Sequence, residues 1–221
     1  MHIGLIGGIG PAATEVYYRA LVRAHAAAGR RMALTIAHAD TREMIANMEA
    51  GKAQEQAAIF AAYVDQLRAG GCEAVAVTSM GGHFCIKELE TISSLPVINA
   101  IPVLDAYFAD QGVARVGVLG TRAVMQSRLY GLSSAEVVIP TPDDLPTVHA
   151  SYLAIAVSGV ATPDQRTYFH DAGRKLFEAG AEVVVLGGTD LSLAFTGEDP
   201  GYPIVDSALI HAAAIAQASM G

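Results

Sequence analysis

Residues 72–83, CEAVAVTSMGGH, combine a short apolar run with a glycine-containing polar turn that ends in a histidine. The apolar run at 73–77 is partly β-branched and too short for a helix, so it predicts a buried strand. The two glycines after it permit backbone angles that other residues avoid, which favours a sharp turn. Because ligands bind beyond the carboxyl ends of strands in open parallel sheets, we expect Ser79 and His83 to lie at a functional site.

A second copy of this stretch lies at residues 181–192, AEVVVLGGTDLS, and aligns with the first without a gap. The alignment places Ser79 opposite Gly188. Two further pairs of short motifs occur in the same order in the two halves of the chain. LIGG at 5–8 corresponds to VLGT at 118–121, and PVINA at 96–100 corresponds to PIVDS at 203–207. Two halves of common ancestry are the simplest interpretation, since unrelated halves rarely keep their motifs in one order.

The alternation of strands and helices predicts an α/β fold with parallel sheets and right-handed crossovers. We expect two pseudo-symmetric lobes, each with a parallel sheet flanked by helices, and a site in the cleft between them. The N-terminal lobe comprises residues 1–101 plus 208–221, and the C-terminal lobe residues 102–207. In the N-terminal lobe, the pattern predicts helices at 11–28 and 53–69 and strands at 2–6, 32–38, 73–77 and 96–100.

The composition excludes several classes of protein. Hydrophobic residues make up 52% and charged residues 16% of the 221, which indicates a compact globular chain. The net charge of −8 argues against nucleic acid as a partner. No apolar run reaches the roughly 18 residues that span a bilayer, and no leader precedes the first strand. We therefore expect a cytoplasmic protein that does not bind membranes.

The segment GIGPAA at 8–13 fits the G-x-G-x-x-A fingerprint of dinucleotide-binding proteins. The acidic residue expected about 20 positions further on is missing, since Asp40 lies beyond that distance. A helix start that offers backbone N–H groups to a small carboxylate is the alternative interpretation. The loop at 120–127 would offer the same from the other lobe. The predicted donors are at Gly8, Gly10, Thr121 and Arg122.

Other candidate groups carry several interpretations. Arg42 follows the second strand and is the best cation for a substrate carboxylate, because arginine binds carboxylates through two hydrogen bonds. A solvated surface arginine is the alternative interpretation. Cys85 lies at an expected helix start, which could lower its pKa, although a small buried apolar residue is an alternative. His38, Asp40 and His83 could meet around a metal ion, but their spacing does not require it, and we predict no metal.

Four motifs resemble the aspartate/glutamate racemase family, and together they cover nearly the whole chain. They are GGIGPAAT at 7–14, SMGGH at 79–83, VGVLGTRAVMQS at 116–127 and LGGTD at 186–190. The resemblance implies two similar α/β lobes, no cofactor and a homodimer. It also implies a small carboxylate substrate, with one cysteine from each lobe beside its α-carbon. One thiolate removes the proton and the opposite thiol returns one.

This chain departs from the family at both cysteine positions, which hold Ser79 and Gly188. A family lysine expected just before Gly159 is replaced by Ser158, and Arg42 matches a substrate-binding arginine only loosely. The resemblance assigns catalytic positions to Ser79, His83, Gly188 and Thr189. It assigns substrate contacts to Gly8, Gly10, Arg42, Thr78, Met80, Thr121, Arg122, Gly187 and Asp190.

Three functions are compatible with these residues. The first is an isomerase, a racemase or epimerase of a small acidic amino acid or related carboxylate, although the two-thiol mechanism is not available. A serine is a weak base without a neighbour that takes its proton, and His83 is the nearest candidate. The second is a lyase or decarboxylase with a one-sided site, in which His83, Asp40 or water acts. The third is a catalytically inactive carboxylate-binding protein.

Overall fold

The computed structural model describes residues 1–197 and 199–221, which alternate between strands and helices. The strands are β1 (Ile3–Gly7), β2 (Leu34–His38), β3 (Ala74–Val77), β4 (Arg115–Leu119), β5 (Glu136–Val138), β6 (Val183–Leu186) and β7 (Ile204–Asp206). The helices are α1 (Pro11–Ala27), α2 (Thr41–Glu49), α3 (Ala53–Ala69), α4 (Ile86–Ile92), α5 (Ala100–Gln111), α6 (Arg122–Gln126), α7 (Arg128–Gly131), α8 (Leu145–Ser158), α9 (Pro163–Glu178), α10 (Ser192–Phe195) and α11 (Ser207–Met220). Two 3₁₀ turns, Gly81–Cys85 and Thr189–Leu191, follow β3 and β6.

The chain divides into two compact units. Unit 1 comprises Met1–Ala100 and Ala208–Gly221, and unit 2 comprises Ile101–Ser207. The sequence predicted the first boundary between the units after residue 101, one residue later than in the structure. It predicted the second boundary after residue 207, where the structure also has it. Each unit has its own parallel sheet with helices around it, so the predicted α/β class is confirmed.

The sheet of unit 1 has three parallel strands in the order β2-β1-β3. Its central strand β1 is fully buried, and Leu5 pairs with Ile36 on one side and Ala76 on the other. Apolar residues of α11, among them Ala212 and Ile215, share a core cluster with β1 and α1. The last helix in sequence therefore completes the core that the first strand begins.

The strand expected at 96–100 is wrong. Only Val97 pairs with β3, through one parallel bridge to Val75, and α5 begins already at Ala100. Pro96 contributes a carbonyl that accepts from the Val75 N–H at 2.9 Å, but proline has no N–H to extend the ladder. The helix start leaves too few residues for a second pairing.

Unit 2 repeats this arrangement with four parallel strands in the order β5-β4-β6-β7. The N–H of Val184 donates to the carbonyl of Pro203 at 2.9 Å, which reproduces the bond between Val75 and Pro96 in unit 1. Strand β7 then continues the pairing that unit 1 stops after one bridge. The internal repeat expected from the sequence is thus present in the hydrogen bonds of both sheets.

Helix α2 lies between the second strand and residue 53, where the sequence pattern predicted no helix. Asp40 caps this helix, because its carboxylate accepts the N–H of Glu43 at 2.8 Å. The second strand begins at Leu34 rather than at residue 32. The first helix begins with Pro11 as expected, since its fixed φ suits the first helical position.

A glycine in each central strand lets a helix approach the sheet closely. A Cβ built on Gly4 would lie 2.9 Å from Leu67 Cδ1, and one on Gly117 would lie 2.9 Å from Leu176 Cβ. Leu67 belongs to α3 and Leu176 to α9, so the same contact recurs in both units.

Among the described residues, no helix is long and apolar enough to cross a membrane.

Replacing Gly117 by alanine should lower the free energy of unfolding by about 1–3 kcal/mol, because the added methyl overpacks the contact with α9. Urea unfolding followed by circular dichroism measures the change. Gly70→Ala is the control, since Gly70 lies at the exposed end of α3 with an ordinary φ of −79°. Equal stability of Gly117→Ala and the unaltered protein would contradict the close approach.

Candidate active site

Two polar turns follow the buried strands β3 and β6 at their carboxyl ends. In unit 1, Thr78, Ser79 and His83 are all buried, with exposed fractions of 0%, 5% and 1%. In unit 2, Thr189 and Asp190 are equally buried at 2% each. Within each unit, the predicted site residues therefore gather at the sheet edge where parallel folds bind ligands.

The Ser79 hydroxyl and the His83 ring do not bond to each other. The hydroxyl oxygen accepts the N–H of Gly82 at 3.3 Å, whereas His83 Nδ1 donates to the backbone carbonyl of Ser79 at 2.7 Å. His83 Nε2 in turn accepts the N–H of Ala100 at 3.3 Å. Both ring nitrogens are thus engaged with backbone, and the expected role of His83 as acceptor of the Ser79 proton is not supported by this geometry.

A second buried histidine, His211 of α11, lies edge-on to His83 with ring centroids 5.7 Å apart. Its Nε2 donates to the carbonyl of Ile98 at 2.8 Å, and its Nδ1 accepts the hydroxyl of Tyr17 at 2.9 Å. Burial lowers the pKa of His83 to about 4 and that of His211 to about 3, and the neighbouring His83 lowers the latter further. Both rings are therefore neutral and act as hydrogen-bonded packing residues.

The free energy of unfolding should fall as the pH drops from about 6.5 towards 4. The ordinary pKa is 6.5 and the folded values are about 4 and 3, so in this window the unfolded chain binds more protons than the folded one. Each histidine contributes a slope of up to about 1.4 kcal/mol per pH unit. Urea unfolding at several pH values measures this slope.

His211→Gln should reduce the slope of the unfolding free energy against pH by the contribution of one histidine. Tyr17→Phe is the matched control, because it removes the hydroxyl bonded to His211 but keeps both histidines. It should lower stability at every pH and leave the slope unchanged. An unchanged slope in His211→Gln would show that His211 is not buried in its neutral form.

The glycine loop, residues 7–10, is held by side chains of its own unit. The N–H of Gly8 donates to Thr14 Oγ1 at 2.8 Å, and that oxygen lies 3.2 Å from the hydroxyl of Thr78. Gly8 has a φ of +82°, and a Cβ there would lie 2.5 Å from His38 Nδ1. Gly10 precedes α1 with a φ of +86°. The Gly8 donor that we expected to face a carboxylate is thus occupied by Thr14.

Other residues singled out in the sequence have side chains that are exposed, or that are buried as packing groups. Arg42 is the second residue of α2 and its side chain is exposed. Met80 is fully buried and acts as a packing residue whose carbonyl accepts the N–H of His83 at 3.1 Å. Burial raises the pKa of Cys85 to about 12, with a further contribution from Glu88, so the lowered pKa considered for a helix start is wrong. Burial also raises the pKa of Cys72.

The helix start expected to bind an anion in unit 2 is satisfied internally. Thr121 caps α6 by accepting the N–H of Val124 at 3.2 Å. The N–H of Arg122 donates to His149 Nδ1 at 3.1 Å, while the Arg122 side chain is exposed. His149 lies on α8, a helix that the sequence did not connect with this site.

Helix α8 also contributes the ring that covers Gly188, the position at which the four sequence motifs predict a second cysteine. Gly188 has extended backbone angles, with φ −140° and ψ 125°. A Cβ built on it would lie 2.3 Å from Tyr152 Cε2 and 2.8 Å from the Tyr152 hydroxyl oxygen. The neighbouring Gly187 is equally constrained, since a Cβ there would lie 2.8 Å from Val124 Cγ1. The Tyr152 ring therefore occupies the volume that a side chain at position 188 would need.

The Tyr152 hydroxyl donates to Asp190 Oδ2 at 3.3 Å. Burial raises the pKa of Tyr152 well above its ordinary range, and the Asp190 charge and the Tyr130 phenol add to the effect. Tyr130 belongs to α7, where three consecutive residues other than glycine have φ between 53° and 57°. Such left-handed stretches are strained and are enriched at functional sites.

Thr189 is the one predicted site residue whose hydroxyl is left unsatisfied. Its Oγ1 is buried and has no hydrogen-bond partner within residues 1–197 and 199–221. A buried hydroxyl without a partner costs about 1–3 kcal/mol, so a ligand oxygen would stabilise it.

Among the same residues, no group of three or more histidine, cysteine or acidic side chains could hold a metal ion.

The sequence matches the family model of Asp/Glu/Hydantoin racemase over residues 6–215. The chain belongs to this family. A candidate Asp/Glu racemase from Yersinia pestis is similar over the full length of both chains, with 25% identity and a TM-score of 0.85. An aspartate racemase homologue from Pyrococcus horikoshii has 22% identity and a TM-score of 0.79, with 100% of this chain and 99% of that chain covered. An aspartate racemase from Picrophilus torridus has 19% identity and a TM-score of 0.78, with 100% and 95% covered.

Family membership confirms the resemblance seen in the four motifs. Ser79 carries a small polar side chain where the resemblance predicts the first cysteine, whereas Gly188 carries no side chain where it predicts the second. The Tyr152 ring from α8 fills the space beside Gly188. No motif in the sequence indicates this contact.

Introducing a cysteine at position 188 should clash with Tyr152. Gly188→Cys should lower the free energy of unfolding by about 1–3 kcal/mol. Tyr152→Ala leaves a cavity and should cost about 3–5 kcal/mol alone. In the double variant each change relieves the other, so the combined loss should be smaller than the sum by at least about 1 kcal/mol.

Ser79→Cys is the matched control at the equivalent position of unit 1, where the replacement is nearly isosteric. It should change stability by less than about 1 kcal/mol. Urea unfolding of the four variants provides the double-mutant cycle. Strict additivity of Gly188→Cys and Tyr152→Ala would show that the ring does not occupy this volume.

Proposed function

We propose that this racemase-family protein binds a small acidic amino acid or related carboxylate and acts at its α-carbon without thiols. The buried, unsatisfied hydroxyl of Thr189 carries the proposal, since it offers a hydrogen bond that the described residues leave unused. Thr189 directly follows Gly188 in the turn after β6, where the family places its second cysteine. A carboxylate oxygen is a good acceptor for such a hydroxyl.

Racemisation needs an acid and a base that can act on the two faces of the α-carbon. Within residues 1–197 and 199–221, the Ser79 hydroxyl accepts the N–H of Gly82 and is not hydrogen-bonded to the ring of His83, and the thiols of Cys72 and Cys85 are buried with raised pKa values. A family member that transfers a proton to one face only, as a lyase or decarboxylase does, is therefore the second candidate. The ring of Tyr152 over Gly188 specifically favours it, because that ring leaves no room for an acid-base side chain at position 188.

Further expectations stay predictions. We propose that no cofactor takes part and that the protein is a cytoplasmic homodimer. These expectations rest on the family and on the composition alone.

Thermal-shift measurements with aspartate, glutamate, malonate and methylmalonate test the proposed binding. Binding to the folded state should raise the melting temperature with increasing ligand concentration. Thr189→Val should abolish most of the shift. The same change should keep or raise the melting temperature without ligand, because it removes an unsatisfied buried hydroxyl.

Thr167→Val is the matched control, since Thr167 is exposed on α9 and far from the turn in sequence. Its ligand-induced shift should equal that of the unaltered protein. Proton NMR in heavy water then separates the two reactions. Exchange of the α-hydrogen of aspartate or glutamate indicates racemase-type chemistry, whereas release of CO₂ or an alkene indicates a one-sided reaction. If none of the four acids shifts the melting temperature, the proposed binding is wrong.

A further inference from the structure

We infer that the outer edge of β2 is the surface through which two copies of this chain associate, by antiparallel pairing of β2 with β2 of a second copy around a two-fold axis at Ile36. The inference rests on the homodimer proposed above and gives it an interface, whereas the proposed carboxylate binding is independent of it. Three observations carry it: an unpaired backbone edge, an apolar surface beside that edge, and opposite charges at its two ends.

The backbone of β2 uses only one of its two sides. Ala33 accepts the N–H of Ile3 at 3.0 Å, and Ala39 donates its N–H to the carbonyl of Gly7 at 2.8 Å. Alternate residues of a strand bond to the same neighbour, so residues 35 and 37 also face β1. The N–H and carbonyl groups of residues 34, 36 and 38 therefore point outward, and no strand within residues 1–197 and 199–221 pairs with them.

The chain leaves β2 on the side away from this edge. The Thr41 hydroxyl donates to the carbonyl of Gly8 at 2.5 Å, which places the start of α2 beside the loop after β1. Helix α2 then packs against α3 and against the Gly81–Cys85 turn after β3. Because β3 lies on the opposite side of β1 from β2, α2 runs across the end of the sheet and leaves the outer edge uncovered.

The edge also lacks the features that usually prevent pairing between chains. Proteins protect edge strands by making them short or by placing proline and charged residues on them. The sequence of β2, LTIAH, has five residues and contains no proline, lysine, arginine or acidic residue. The outer strands of the other sheet, β5 and β7, have three residues each, and Glu136 of β5 pairs with Arg115. The outer side of β3 is partly covered by the bridge from Val97.

An apolar surface lies beside this edge. Ile36 is 40% exposed, and it lies on the same face of the sheet as α1, because a Cβ built on Gly7 would lie 3.0 Å from Ile36 Cγ2 and 2.7 Å from Thr14 Cγ2. Tyr18 and Val22 follow Thr14 at intervals of four residues, so they continue the same side of the helix, and both are exposed. Two paired strands bury too little surface for a stable dimer, and this helix face extends the contact.

The two ends of β2 carry opposite charges. Arg30 and Arg31 precede the strand, whereas Asp40 and Glu43 follow it, with Arg42 as a single cation between them. All five side chains belong to exposed residues. An edge that is basic at its start and acidic beyond its end is complementary to a reversed copy of itself.

This charge pattern selects both the partner and the direction. Antiparallel pairing centred on Ile36 places residue 31 opposite residue 41 of the second copy, next to Asp40. Parallel pairing would instead bring the arginines of the two copies together. A two-fold axis repeats each contact, so a second copy supplies opposite charge at both ends of the edge.

The same register satisfies the outward backbone groups. Residue 34 of each copy faces residue 38 of the other, and Ile36 faces Ile36. Each of these facing pairs exchanges two hydrogen bonds, with Cα atoms about 5.5 Å apart. The groups that β1 leaves unused are therefore those that the second copy needs.

Sedimentation equilibrium of the full chain between 1 and 100 μM tests the interface, and the unaltered protein should be a dimer. Ile36→Pro removes an N–H that faces away from β1, a position where edge strands tolerate proline. It should raise the dimer dissociation constant at least about tenfold. Ile36→Val is the matched control, since it keeps the N–H and a β-branched side chain, and it should dimerise like the unaltered protein. Circular dichroism checks that both variants fold.

Arg31→Glu tests the charges without changing the strand. It should raise the dimer dissociation constant about tenfold in 50 mM NaCl and less in 500 mM NaCl, because salt screens exposed charges. Arg174→Glu on α9 makes the same change in net charge and should leave the dissociation constant unchanged.

Ile36→Cys tests the register directly. Two Cα atoms about 5.5 Å apart can form a disulfide, so diamide should link the copies by taking the hydrogens of the two thiols. Cys72 and Cys85 are buried and do not compete. Ile92→Cys is the control, because Ile92 is exposed on α4, and it should link the copies much more slowly.

The outcomes separate the interface from the oligomeric state. A monomer at every concentration overturns both the inference and the proposed homodimer. A dimer that persists in Ile36→Pro and Arg31→Glu, and that Ile36→Cys does not link, overturns the inference alone. Weaker association in both variants together with rapid linking supports it. The thermal-shift series with the four acids tests the carboxylate binding separately.

Discussion

The contact between the Tyr152 ring and the backbone at Gly188 determines which residue the turn after β6 can carry at this position. Glycine is required at position 188 because the ring fills the space of a side chain. The ring in turn is held by α8 and by its bond to Asp190. A glycine that looks in the sequence like the loss of a catalytic group is thus a position whose side-chain space a neighbouring helix fills.

The sequence predicted the fold and the place of the turns well, because both depend on local patterns. Short apolar runs, glycines after strands and the repeat of 72–83 at 181–192 are visible without the structure. The residues that the sequence missed are supplied by other elements. Tyr152 and His211 lie on α8 and α11 and have no motif around them, so only the folded chain brings them to Gly188 and His83.

The interpretation of His83 illustrates a limit of motif-based reasoning. A histidine four residues after a serine is close enough in sequence to serve as its base, and that expectation was reasonable. In the 3₁₀ turn, however, the ring bends back onto the carbonyl of Ser79 rather than onto its hydroxyl. The backbone thus takes the hydrogen bonds that catalysis would need, and a distance of four residues does not indicate which atom of Ser79 the ring meets.

The division of the chain has a consequence for its synthesis. Unit 2 is contiguous, from Ile101 to Ser207, whereas unit 1 needs residues 208–221 in addition to its first hundred. The ribosome makes these residues after unit 2, and they include Ala212 and Ile215 of the core around β1. Unit 2 therefore has its whole sequence before the core of unit 1 can close, and the half of the protein whose translation begins first is the half whose sequence is completed last.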